Sequence, residues 1–446
     1  MSRASQPKRK QRQAVGLPPA QGRAGLRRRG LAIAAVGAAV LVAGLGVWNL
    51  YRGGEATPRA GAQIPANVRL KSALPDPDTT SMTVPVARAI REAREAALAQ
   101  PDSAEAAGRL GQVYHAHWLH DAAAACYEIA RRLDPEDFRW VYLLAGVEEI
   151  RGAESGRVDQ LFRAAIRRAP RFAPVYVRHA DALLRLGRWS EARDAYAAAV
   201  ERDPELVLAH RGLGQAALLL GDGPTALEHL EQAARLEPED RIAQVALARV
   251  YALLDRGEQA AQAARKAETL SAEAGFPDPI FFEMESLAVD PQTLRERAAR
   301  SLQEGAYVAA IQALTLLEES EGAAVRKQLG LARKLRANQL AFGGDFAAAL
   351  AEFQRAARLS PTDPEIEHNW GTVLLRRGNL EEAGRHFENA IELNPLSADS
   401  LYNLGVVLEG LGRTDEAIRR FSAAAAINPQ HVAAGRLAEL GVTSQP

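Results

Sequence analysis

Along most of the chain, apolar residues return at three- and four-residue intervals, in Ala-rich segments that each close on a proline. The closing stretches read LDPED from Leu133, RDPEL from Arg202, LEPED from Leu236, LSPTD from Leu359, LNPLS from Leu393 and INPQH from Ile427. The i, i+3, i+4 spacing predicts amphipathic helices, and proline, which cannot continue a helix interior, marks their boundaries. Pro170 to Pro204, Pro204 to Pro238, Pro361 to Pro395 and Pro395 to Pro429 are each 34 residues apart, and Pro135 to Pro170 is 35. A constant period of this size predicts stacked helical hairpins that share one core.

Within each period other residues keep fixed offsets. The final unit runs Leu404-Gly405, Leu408, Gly412, Ala417, Phe421, Ala424 and Pro429; the one before it runs Trp370-Gly371, Leu374, Gly378, Ala383, Phe387, Ala390 and Pro395. A third runs Leu213-Gly214, Ala217, Gly221, Ala226, Leu230, Ala233 and Pro238. The Leu-Gly pair and the apolar residue after it share a face of a first helix, and the later glycine allows a turn. The two alanines, a heptad apart on a second helix, allow close approach, and the large residue between them fills the gap. This pattern resembles the tetratricopeptide repeat, and it holds over about residues 86–440. The resemblance implies an all-α fold, a right-handed α-solenoid of about nine helix-turn-helix repeats. Units are expected to begin near Ala104, Arg139, Ala173, Val207, Arg241, Pro291, Gly330, Pro364 and Ala398, those at Arg241 and Pro291 being degenerate. Val86–Gln100 reads as an unpaired second helix and His431–Leu440 as a capping helix.

One interruption breaks the period. The interval from Arg241 to Pro291 is 50 residues and contains AGFPDPIFFEMESLAVDP, Ala274 to Pro291. This apolar, proline-bracketed stretch reads either as a segment packed over the solenoid between two sub-arrays or as an exposed partner-binding element.

A different pattern occupies the N-terminus. Leu31 to Leu50, LAIAAVGAAVLVAGLGVWNL, carries no charge and no polar stripe. As a helix it spans roughly 30 Å, the thickness of a bilayer core. Nine Lys and Arg precede it without an acid, and Trp48 and Tyr51 lie at its far end. Such flanks predict a cytoplasmic N-terminus and a single-pass anchor, with the repeats on the other side. A cleaved signal peptide is the rival reading, with Ala60-Gly61-Ala62 as a cleavage site. The expected organisation is a basic segment over 1–30, a transmembrane helix over 31–51 and a flexible, proline-containing linker over 52–80. A first array over 81–274, an insertion over 275–291 and a second array over 292–446 follow. The Ala- and Arg-rich composition points to a GC-rich bacterial genome, hence to the inner membrane with the repeats in the periplasm.

Charge narrows the partners. Without the nine N-terminal cations, 46 basic residues face 55 acidic ones, a balance opposed to nucleic-acid binding by the repeat body. No phosphate-binding, metalloprotease or nucleophile-elbow motif occurs, so no enzyme activity, cofactor or small-molecule substrate is expected. One cysteine excludes an internal disulfide and a four-thiolate zinc site. His115, His117 and His120 lie near that Cys126 and raise a metal-binding alternative. In the repeat register, however, they fall at a helix end, a turn and the next helix start, which separates them.

The resemblance implies that first helices line a concave groove. The residues it projects there are Trp140, Leu143, Val147, Val177, Asp181, Arg185, Arg211, Gln215, Arg249, Arg295, Lys334, Asn338, His368, Thr372, Arg376 and Tyr402. Arg185, Arg211, Arg249, Arg295, Lys334 and Arg376 would make a basic stripe suited to an acidic or carboxylate-terminated peptide. Lys334, Asn338 and Asn369 also match three positions of the family's two-carboxylate clamp, but Asp399 and Asn403 stand at the two further basic positions. The function expected is a membrane-anchored scaffold or adaptor binding proteins or peptide segments, in envelope assembly, secretion or maturation of exported proteins. A carrier subunit of a cytochrome-maturation or polysaccharide-export machine is the alternative.

Overall fold

The computed structural model describes residues 74–271 and 275–442, and all regular structure among them is helical. The expected basic segment, the membrane helix and most of the linker lie outside the described residues. No helix among the described residues is long and apolar enough to cross a membrane.

A leading helix, Val84–Ala99, is followed by nine helix pairs. Units 1 to 5 are Ala104–Ala116 with His120–Leu133, Phe138–Ile150 with Ser155–Arg168, Ala173–Arg185 with Trp189–Arg202, Val207–Leu219 with Gly223–Leu236, and Arg241–Leu253 with Gly257–Thr269. A short helix, Pro279–Glu285, intervenes. Units 6 to 9 are Pro291–Gln303 with Tyr307–Glu321, Ala323–Phe342 with Phe346–Leu359, Pro364–Arg376 with Leu380–Leu393, and Ala398–Gly410 with Thr414–Ile427. Val432–Glu439 caps the end. The starts match the expected ones except in two units: unit 2 begins at Phe138 rather than Arg139, and the first helix of unit 7 begins at Ala323 rather than near Gly330 because an extra two turns precede the repeat.

The repeat residues do what their spacing implies. Ala417, Phe421 and Ala424 are wholly buried, and so are Ala383, Phe387 and Ala390, Ala349, Phe353 and Ala356, and Ala226, Leu230 and Ala233. Burying one such phenylalanine contributes about 1.5–3 kcal/mol, repeated from unit to unit. First helices are started by side-chain caps where the sequence supplies them: Ser103, Asp137, Asp240, Asp363 and Ser397 each accept a backbone N–H.

Each hairpin turns through one residue with positive φ. In seven units it is glycine: Gly152, Gly187, Gly221, Gly305, Gly344, Gly378 and Gly412. In unit 5 it is Asp255 (φ 58°) and in unit 1 it is Trp118 (φ 63°). A bulky L-residue is strained there, and Trp118 gains little packing in return, being 78% exposed. Trp118→Gly is expected to raise stability by about 0.5–1 kcal/mol. A urea titration against wild type and Trp118→Ala checks this; a lower midpoint for the glycine variant would contradict it.

Two features depart from a simple tether and uninterrupted stack. The end of the expected linker is docked: Leu74 is buried, and the Pro75 carbonyl accepts from the Tyr114 hydroxyl (2.9 Å) and Arg94 Nε (3.3 Å). Unit 6 packs against the leading helix at the start of the first array, through Tyr307–Glu321 and an Arg88–Glu319 ion pair at 2.8 Å. The chain returns there along Phe276–Asp290. Val289 packs against both the first array's core and that of units 6 and 7.

Candidate functional site

The return segment, here called the strap, lies against the first helices of units 1 to 3. The short helix Pro279–Glu285 touches Ala104–Ala116 and Phe138–Ile150. Its course opposes the order of the repeats. Asp278 meets unit 3, Phe281 meets units 2 and 1, and Glu283 pairs with Arg109 of unit 1 at 3.0 Å. The face of units 1 to 3 is therefore occupied by the chain itself. Of the two readings of this stretch, packing over the solenoid is the one observed, although Phe282 remains 61% exposed.

Two anchors hold the strap. Asp278, 1% exposed in its side chain, accepts on Oδ2 from the Tyr142 hydroxyl (2.5 Å) and from Arg178 Nε (2.8 Å). Its Oδ1 caps the short helix by accepting from the Ile280 and Phe281 amides (3.2 and 3.3 Å). Burial pushes the Tyr142 hydroxyl well above its ordinary pKa, and the Asp278 charge adds to this, so the phenol stays a donor. The second anchor is Phe281. Arg178 stands over its ring at 3.5 Å, Tyr142 meets it edge-on at 5.4 Å and His115 at 5.9 Å. Gly146 makes room for the ring, because a Cβ there would lie 2.8 Å from Phe281 Cζ.

The sequence-projected residues of unit 2 fall elsewhere. Trp140, Leu143 and Val147 are fully buried in the core. The interval Pro135 to Pro170 carries one residue more than the period, so a start at Arg139 displaces the unit by one position. With the helix starting at Phe138, Tyr142 and Gly146 take the groove positions. Tyr142, Gly146 and Arg178 are thus the strap-contacting residues that sequence reasoning missed.

The expected basic stripe is largely ion-paired within the fold. Arg185 meets Glu149 at 2.5 Å, Arg211 meets the buried Asp240 at 2.9 Å, and Arg295 meets Glu321. Lys334 Nζ lies 2.8 Å from both Asp363 and Glu365; burial opposes its charge, but these hydrogen bonds raise its pKa overall. Arg249 and Arg376 are exposed and make no ion pair among the described residues. Gln215, Asn338 and Asn369 are half-buried. Val177 is core, and Asp181 accepts from the Tyr196 hydroxyl, its carboxyl pKa raised by burial. His368 bonds Ser400 (2.8 Å) and Asp399 bonds His431 (3.0 Å). Because Lys334 already has two carboxylates, Lys334→Ala is expected to lower stability by about 1–2 kcal/mol. A labelled peptide ending in acidic residues should bind wild type and Lys334→Ala equally; tenfold weaker binding to the variant would restore the clamp.

The turn brings the His115 and His120 rings edge to face, with centroids 5.7 Å apart, while His117 packs separately. His115 is buried, with Nδ1 3.3 Å from the Tyr127 hydroxyl. His117 lies buried beside the Leu287 backbone and Asp290. His120 lines an open cleft of about 540 Å³ with Trp118, Asp121, Glu148 and Arg151. Burial pushes the Cys126 thiol up to about 12, far from the thiolate a metal needs. Among the described residues no three His, Cys, Asp or Glu side chains are arranged to hold a metal ion. Burial, with His120 and Arg178 nearby, lowers the His115 pKa to about 3. The folded state thus binds fewer protons than the unfolded state, whose imidazole titrates near 6.5. Stability contributed by neutral His115 is present above pH 6.5 and declines as pH falls toward 3. Between pH 7 and 5 the loss is about 2 kcal/mol, and the stability that denaturant titrations give at pH 7 should fall by about that much more on going to pH 5 in wild type than in His115→Phe.

Stacked hairpins of two helices, turning on a left-handed residue and packed through paired alanines, define an α-solenoid of helix-turn-helix repeats. The tetratricopeptide repeat model matches residues 119–171, 177–229, 220–274 and 368–432, and the chain is a tetratricopeptide repeat protein. No curated protein matches it. Among solved structures it is similar to MamA 41-end from Desulfovibrio magneticus RS-1, at 19% identity over 37% of this chain and 94% of that one, TM-score 0.36. It is also similar to YrrB, a repeat protein with an unusual peptide-binding site, at 19% identity over 62% and 97%, TM-score 0.21. A third is PilF of Pseudomonas aeruginosa, at 18% identity over 53% and 98%, TM-score 0.27.

Proposed function

We propose that this protein is a scaffold that binds segments of partner proteins on the concave faces of its repeats, and is not an enzyme. The observation that carries the reading is the strap: the face of units 1 to 3 holds a short helical segment by a buried carboxylate and an aromatic anchor. That is the helix-in-groove mode of peptide recognition. The faces left for partners are those of units 4 and 5, where Arg249 is exposed, and of units 7 to 9, where Arg376 is exposed.

The scaffold is held at the inner membrane by Leu31–Leu50, with the repeats in the periplasm, and serves envelope assembly, secretion or maturation of exported proteins. The uncharged twenty-residue stretch behind nine cations supports this placement. A carrier role in a cytochrome-maturation or polysaccharide-export machine fits the same features. In-cell photocrosslinking from Arg249 and Arg376, with Glu381 as a control on a second helix, tests the reading. Discrete adducts from the two arginines and none from Glu381 are expected; equal labelling from all three would sink it. A reporter fused to the C-terminus tests the topology, and cytoplasmic activity would overturn it.

A further inference from the structure

We propose that the concave face of units 1 to 3 is a receptor for protein segments of the pattern Asp-x-x-aromatic at the start of a short helix, and that the strap is its exchangeable internal occupant. This deepens the scaffold reading and rests on it.

The receptor half of the contact belongs wholly to the array. Tyr142 and Arg178, on first helices of adjacent units, converge on one oxygen of Asp278. Arg178, Tyr142 and His115 surround one ring, and Gly146 leaves the space that ring fills. The ligand half is compressed into a few residues: a carboxylate that caps a helix, and a phenylalanine three positions later on its first turn. These are the elements a receptor can read in any partner. A charged donor pair selects the carboxylate, and a space bounded by a glycine selects a planar ring over a branched aliphatic one.

The occupant is built to leave. Its helix has seven residues between Pro279 and Glu285, too few to persist once undocked. Phe282 and Glu285, on the same helix, face away from the array and are exposed. Against a partner segment that makes the same contacts, the strap's advantage is its tether, which presents it at an effective concentration on the order of millimolar. A partner segment with better flanking contacts displaces it, and the face of units 1 to 3 then opens to join those of units 4 and 5.

The test uses the full chain and a labelled synthetic peptide of residues 275–290, followed by fluorescence anisotropy. The proteins are wild type, the strap-opened variant Asp278→Ala/Phe281→Ala, and the same variant carrying Arg178→Glu. The opened variant is expected to bind the peptide at least tenfold more tightly than wild type. Adding Arg178→Glu should abolish binding, and a peptide with Asp278→Asn and Phe281→Ala should not bind. Should circular dichroism show the double variant unfolded, Phe281→Leu replaces it, since it removes the ring that Arg178, Tyr142 and His115 surround while leaving an apolar side chain against the array. A folded opened variant that ignores the peptide, or binds a scrambled one equally, overturns the proposal. A doubled mass for wild type in sedimentation also overturns it, by assigning the strap to a second copy. Arg249 and Arg376 lie outside this face, so their crosslinking outcome is independent of the peptide result.

Discussion

Phe421→Ala is expected to lower stability by about 3–5 kcal/mol. The ring is fully buried between Ala417 and Ala424, lies against Tyr402 at 5.4 Å, and meets Gly405 so closely that a Cβ there would sit 2.4 Å from it. Nothing flexible is available to close the resulting cavity, because the helices are already held at alanine and glycine contacts. Repeats of this kind interact chiefly with their neighbours, so the loss should be local. Hydrogen exchange is expected to rise first across Ala398–Ile427 and Val432–Glu439, while units 1 to 3 keep their protection. Gly405→Ala attacks the same contact from the other side and should cost about 1–3 kcal/mol. Combined with Phe421→Ala, the added methyl enters vacated space, so the double variant should be more stable than the sum of the singles predicts. Strict additivity in a double-mutant cycle would show that the two residues do not share a contact.

Asp278→Ala is expected to cost about 3 kcal/mol, through a different mechanism. It leaves the Tyr142 hydroxyl buried without an acceptor and Arg178 without its partner, and it removes the cap of the short helix. Asp278→Asn keeps one acceptor oxygen, which can serve Tyr142 and Arg178 or the Ile280 and Phe281 amides but not both sets, so its loss should be smaller than that of the alanine variant. The signature is spatial as well as energetic. Amides of Ile280 and Phe281 should exchange faster, together with those of Tyr142 and Arg178, although these pairs lie far apart in the chain. A loss below about 1 kcal/mol for the alanine variant would mean that the carboxylate is not what holds the strap.

These two sites mark how far the sequence could be read. Phe421 was legible because everything it touches recurs one period away: its alanines, its glycine and the next proline follow from helix geometry alone. The turns were legible for the same reason, and Trp118 stands out only against the glycines of other units. Asp278 was not legible. Its proline-bracketed, apolar neighbourhood signals a departure from the repeat, but no local pattern says which face it covers. The same holds for the charges. Arg211 with Asp240, and Lys334 with Asp363, pair across about one period, so a stripe drawn along first helices misses acids supplied by the next unit's helix start. In unit 2 a single additional residue moved the groove from Trp140, Leu143 and Val147 to Tyr142 and Gly146. A glycine at a groove position is the one signal that could have exposed the error, since a groove glycine implies something large resting on it.

The strap also ties the molecule to the order of its synthesis. Tyr142 and Arg178 wait for a residue 136 and 100 positions later in the chain. At roughly 5–20 residues per second, the face of units 1 to 3 is complete on the ribosome for several seconds before Asp278 is made. During that interval the nascent chain presents the vacant face, open to whatever segment of matching chemistry is nearby, until the strap first closes it.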